Sequence, residues 1–135
     1  MTDRAKRLEK LLGVHQTLEA LGEARRAGLA AEARRRREEA RHLAERLDDP
    51  QSLSTLFPAL FHDRIQKCLA GAQDAEAAAA REAEMLARLR LRTENIRRAR
   101  DEEQAGDERR KAERLVLDWV EARQAAASSA KHNGG

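Results

Sequence analysis

The chain has 135 residues, of which 38% are charged and only 2% aromatic, with a formal net charge of +3 at pH 7. That balance is too polar for a sizeable globular core, and its Ala, Glu, Arg and Leu content is the profile of long helices and coiled coils. Residues 1–47 hold 12 Lys and Arg against 8 Asp and Glu, a basic excess too small to imply a nucleic-acid partner.

The first predicted element is a helix over residues 3–47. Leu8, Leu11, Leu12, His15, Leu18 and Leu21 recur at steps of three and four, the spacing of one helical face. This seam thins to Ala24, Gly28, Leu29 and Ala33, and bulk returns at Ala40, Leu43 and Leu47. Asp48 and Asp49, then Pro50, close the helix. A connection is expected over 48–56, because Pro50 and Pro58 are the only prolines and they bracket it. Pro58 suits the first turn of the next helix, where a missing N–H costs nothing.

The second predicted helix runs over 57–127, with a frayed tail at 128–135. Its apolar profile reverses that of the first: Phe61, Ile65 and Leu69, then the Ala-rich "AEAAAA" at 75–80, then Met85, Leu86, Leu89, Leu91 and Ile96. Folding one helix back on the other matches like with like. Leu47 meets Phe61, Leu43 meets Ile65, Ala33 meets Ala75, Leu21 meets Leu86 and Leu8 meets Ile96. The expected fold is therefore all-α: two long helices in an antiparallel coiled-coil hairpin, forming a single domain, with the second helix the longer.

Such a hairpin leaves residues from about 104 onward without a partner in the chain. The segment "DEEQAGDERRKAER" at 101–114 is nearly all polar, and Gly106 within it costs about 1 kcal/mol relative to Ala in a helix interior. After it come Val116, Trp119, Val120 and Arg123, an apolar stripe around the only tryptophan in the chain. A lone helix carrying such a stripe is marginal in water. Trp119 is expected to face another protein, either a different partner or its own copy in a homodimer.

Catalysis is not expected. His15, His42, His62 and His132 are scattered without helical metal-pair spacing, and there is no phosphate loop or nucleophile elbow. No catalytic residue, cofactor or metal follows from the residues. Cys68 is single and cannot close an internal disulfide. No run approaches the roughly 20 apolar residues that span a bilayer, and no apolar segment backs the N-terminal "MTDRAKRLEK" as a signal peptide would require. A soluble cytoplasmic chain without stable membrane insertion is expected. Arg34–Arg37 cover every face of a helix and read as solvated surface, with Glu38 and Glu39 placed to pair with Arg34 and Arg35. Arg88, Arg90, Arg92, Arg97, Arg98 and Arg100 form a less diluted basic cluster, suited to phosphate or to an acidic protein surface. The stacking aromatics of a nucleic-acid binder are missing.

The N-terminal "RAKRLEKLLGVHQTLEALGEARRAGLAAEARRR", the break near residue 50 and "LSTLFPALFHDRIQKCLAGAQ" opening a longer second helix resemble the flagellar export-stalk proteins of the FliJ type and their type III secretion counterparts. The resemblance covers nearly the whole chain and differs in having only Phe57 and Phe61 as aromatics near the turn. It implies a coiled coil similar to the shaft of rotary ATPases, with its joined chain ends in the pore of a hexameric export ATPase. It also implies contacts with the export gate and with export chaperones, at a cytoplasmic location peripheral to the membrane apparatus. By position, the ATPase-facing end would hold Leu8, Leu11 and Leu12 with Ile96 and the overhang through Trp119, and the gate-facing region Leu43, Leu47, Phe57, Phe61 and Ile65.

Overall fold

The computed structural model describes residues 1–133. They are all-helical: α1 spans Asp3–Asp48, a short 3-10 turn spans Leu53–Leu56, and α2 spans Pro58–Asn133. The two α-helices pack against each other, and the second is the longer. Residues 128–133, expected to fray, continue α2 instead. Ala125–Ala127, Ala130 and Lys131 favour helix, and no Gly or Pro interrupts before Gly134. Residues 134 and 135 lie outside the described residues. The contacts group the chain into two units, His15–Arg92 and Met1–Val14 with the chain from Thr93 on.

In the His15–Arg92 unit the turn reverses the chain. Ser54 is fully buried, and its hydroxyl donates to the Arg46 carbonyl at 2.6 Å, satisfying one of the orphan acceptors at the end of α1. Ser52 caps the 3-10 turn by accepting from the Ser54 N–H, and Asp49 accepts from the Gln51 N–H at 3.0 Å. Pro58 then takes the first position of α2. Behind the turn Ala40, Leu43 and Cys68 form a buried cluster, with Phe61, Ile65 and Leu69 packed against it. Ile65 thus packs against the cluster that contains Leu43, in the zone where the reversed profile places it. Ala33 and Ala75 are both buried. Arg37 pairs with Glu76 at 2.6 Å and Arg90 with Glu23 at 3.7 Å, so α1 and α2 run antiparallel. Burial pushes the Cys68 thiol above its ordinary pKa, and the neighbouring Glu39 adds to the shift, so the thiol stays protonated near neutral pH.

The buried and half-buried inward positions follow a 3.5-residue repeat, broken in α1 only at the exposed Arg36. In this unit α1 turns in His15, Glu19, Gly22, Arg26, Leu29, Ala33, Ala40, Leu43 and Leu47, and α2 turns in Phe61, Ile65, Cys68, Ala72, Ala75, Ala79, Glu82, Leu86 and Leu89. This corrects the predicted seam. Leu18 and Leu21 are exposed, and Leu86 lies over Gly22 rather than Leu21: a Cβ on Gly22 would stand 3.4 Å from its Cδ1. The missing side chain makes room for Leu86, so close approach outranks apolar content at this layer. Met85 and Leu91, counted with the second helix's apolar face, are also exposed.

The other unit pairs the start of α1 with α2 from Thr93. Thr2 caps α1 by accepting from the Ala5 N–H at 3.0 Å and donates to Glu103 at 3.2 Å. Ala5, Leu12 and Thr93 are buried and Leu8 and Ile96 half-buried, while Leu11, predicted in the seam, is 42% exposed. Farther along, the contact turns ionic. Arg100 reaches Glu9 at 3.0 Å, and Glu103 receives Arg4 at 3.7 Å and Arg110 at 3.5 Å. Lys111, hydrogen-bonded to Asp107, holds that carboxyl below its ordinary pKa, with the chain's amino terminus and Arg110 contributing. Burial ends at Asp107, and α2 passes through Gly106 without a break.

Two α1 glycines are dispensable by this geometry. A Cβ on Gly13 or Gly28 meets nothing within 4 Å. Gly in a helix interior costs about 0.5–1 kcal/mol against Ala. The double variant Gly13→Ala/Gly28→Ala should therefore gain about 1–2 kcal/mol in urea melts; a loss of stability would show that one of these sites makes a close contact.

Candidate partner-binding surfaces

Three surfaces place large apolar side chains in water. The first is the end of α2. Every residue from Glu108 to Lys131 is exposed, over roughly 35 Å of helix. Trp119 is 59% exposed, Val116 60% and Val120 37%, and the Arg123 guanidinium lies over the Trp119 ring, 4.8 Å from its centre. The phase of this stripe matters. The inward positions of α2 in this unit are Thr93, Ile96, Arg100, Glu103 and Asp107, and the same repeat carried onward falls on Arg110, Arg114, Leu117, Glu121 and Gln124. Ala112, Val116, Trp119, Arg123 and Ala126 instead follow two residues later. Two residues turn an α-helix through about 200°, which puts the stripe on nearly the opposite face. Lengthening the existing pairing would leave Trp119 uncovered. A partner must approach from the other side.

The second surface is a groove along the His15–Arg92 unit. Leu18, Gly22, Met85, Leu86 and Leu89 form its floor, and Arg25, Arg88 and Arg92 its rim. The predicted site residues Arg88 and Arg92 therefore stand beside exposed apolar surface. Arg97, in the other unit, is half-buried and pairs with Glu94 at 2.7 Å.

The third is the turn. Leu53, Leu56, Phe57 and Leu60 are all more than 60% exposed, while Phe61 tucks against the buried cluster. Of the two predicted aromatics, Phe57 faces solvent and Phe61 is half core. Phe61 and Leu60 also line a groove with Arg34, Arg35, Arg46 and Arg64. The expected pairing of Glu38 and Glu39 with Arg34 and Arg35 does not occur. Glu38 pairs with Arg41 and lies 3.4 Å from His42, and Glu39 pairs across the hairpin with Arg64 at 3.4 Å. Cross-helix contacts and the turns on either side offer these carboxylates closer cations. Arg36 and Arg37 pair with Glu32 and Glu76.

The structure does not gather all the predicted residues into one site. Leu8, Leu11, Leu12, Arg97, Val116, Trp119 and Val120 belong to one unit, and Phe57, Phe61, Arg88 and Arg92 to the other. Leu12 is 4% exposed and serves the helix pairing, whereas Leu11 is 42% exposed. Leu18, Met85 and the rim arginine Arg25 were not singled out as site residues by sequence reasoning. The signal for Arg25 was its place one residue before a seam position, with no acidic residue at a neighbouring turn. Among the described residues no group of three or more His, Cys, Asp or Glu could hold a metal ion, and no helix is long and apolar enough to cross a membrane. Comparison of the chain with protein-family models, with curated proteins and with solved structures finds no match.

Proposed function

We propose that the chain is a non-enzymatic coiled-coil stalk of a flagellar or type III protein export apparatus, one that binds the hexameric export ATPase and promotes export of substrates. The observation that carries this reading is the uncovered apolar stripe of α2 around Trp119, on a helix that outlasts its pairing with α1. In this reading the overhang and Leu11 meet the ATPase ring, and the exposed residues of the turn face the export gate. Export chaperones bind elsewhere on the chain, which works in the cytoplasm at the periphery of the membrane apparatus. The action is positional. A helix end with one apolar face contacts ring subunits unequally, and unequal contact biases them toward different nucleotide states.

A pull-down with the export ATPase of the same cell tests this. The full chain should retain the ATPase and stimulate its hydrolysis, and a chain ending at Ala105 should do neither. Full binding and stimulation by the shortened chain would overturn the role given to the overhang.

A specific observation also favours a second reading, a self-associating structural coiled coil. Ala112, Val116, Trp119, Arg123, Ala126 and Ala130 keep heptad spacing, which two copies could bury together. Sedimentation at low micromolar concentration separates the two: a stable dimer supports self-association, and a monomer supports the stalk.

A further inference from the structure

We infer that the groove between α1 and α2 in the His15–Arg92 unit, floored by Leu18, Met85 and Leu89 and rimmed by Arg25, Arg88 and Arg92, is a docking site for an acidic amphipathic helix of a partner protein. This inference rests on the groove itself and not on the stalk reading.

The two flanks of the unit differ in kind. One residue after the seam positions lie Ala20, Glu23, Ala83, Ala87 and Arg90, where the apolar groups are small and Glu23 pairs with Arg90. One residue before them lie Leu18, Leu21, Arg25, Met85, Arg88 and Arg92. On that flank Leu18 is 41% exposed and Met85 57%. Apolar bulk of this kind gains free energy when covered, and the hairpin leaves about half of it open to water.

Charge identifies the occupant. Arg90, Arg97, Arg98 and Arg100 all have carboxylate partners within the chain. Arg25, Arg88 and Arg92 have none among the described residues, and the only carboxylate lining the groove is Glu82. Three guanidiniums left free around an apolar floor favour a ligand with an apolar centre and acidic edges. The furrow between two packed helices accepts a third helix by ridge-into-groove contact. Leu18 to Arg25 covers two turns, about 10 Å, so the docked segment needs apolar residues at i, i+4 and i+7 with Glu or Asp on both sides.

The test uses the full chain and a fluorescein-labelled 18-residue peptide with Leu at i, i+4, i+7 and i+11, Glu beside them and Ala elsewhere. Fluorescence anisotropy should show binding that weakens with added salt. A peptide with Lys for Glu, or with Ser for Leu, should bind at least tenfold more weakly. The Arg25→Glu/Arg88→Glu/Arg92→Glu variant should lose at least tenfold in affinity, and Met85→Ser should weaken binding severalfold. A charge-matched control, Arg7→Glu/Arg109→Glu/Arg114→Glu, should bind as the parent does. Circular dichroism confirms that each variant is helical; a variant that is not is replaced by the Ala series at the same positions, with the same expectation. Equal binding of the Glu and Lys peptides, equal loss in the control variant, or binding to vesicles of anionic phospholipid with none to the peptide would each overturn the inference.

Discussion

Replacing Leu86 with Asp should unfold the chain at markedly lower urea, with a loss of about 3 kcal/mol or more, while Leu91→Asp should change stability by no more than about 0.5 kcal/mol. The two leucines lie five residues apart in one helix and look alike in sequence. Leu86 is 3% exposed and lies over Gly22, whereas Leu91 is 69% exposed. Most other buried apolar positions are Ala: Ala5, Ala33, Ala40, Ala72 and Ala75. The few buried leucines therefore carry a large share of the apolar burial, and a carboxylate at position 86 would also be desolvated without a built partner. Equal losses for the two variants would mean that the seam has a different phase from the one described.

The second large effect concerns binding. If the chain is the export stalk proposed above, Val116→Ser/Trp119→Ser/Val120→Ser should weaken its association with the ATPase by tenfold or more, because a single interface tryptophan is commonly worth over 2 kcal/mol. The same variant should melt as the parent does. Residues 108–131 are exposed throughout, so the helix pairing loses nothing when the stripe is made polar. Unchanged ATPase binding would remove the stripe from the interface, and a lowered melting point would show that the free chain already covers it.

The antiparallel pairing was legible because its signals are local and strong. Pro50 and Pro58 bracket the reversal, and the mirrored order of bulky and Ala-rich zones brings Phe61, Ile65 and Leu69 to the cluster of Ala40 and Leu43. Phase was harder. Leu11, Leu18 and Leu21 outrank Glu19 and Gly22 on apolarity, yet the repeat counted back from Leu43 and Ala40 through Ala33 and Arg26 arrives at Gly22 and Glu19. Packing selected the small residue that admits Leu86, and composition does not record that preference. The same slip hid the groove, since Leu18 was already assigned to the seam. The stripe around Trp119 was visible from spacing alone. Its rotation away from the helix pairing was not, because that needs the inward positions of the preceding turns. Glu39 pairs with Arg64 on the facing helix, which a sequence does not show, whereas Glu38 takes Arg41 at i+3 on its own helix in place of Arg34.

Trp119 is the only tryptophan, so its fluorescence reports on the stripe without labelling. In dilute solution of the chain alone, its emission should be that of a solvent-exposed indole, readily quenched by acrylamide, in a species that sediments as a monomer. On the proposed stalk function, adding the export ATPase should shift the emission to the blue and protect it from quenching. A blue-shifted, protected tryptophan in the dilute chain alone, or an emission unmoved by saturating ATPase, would contradict the account.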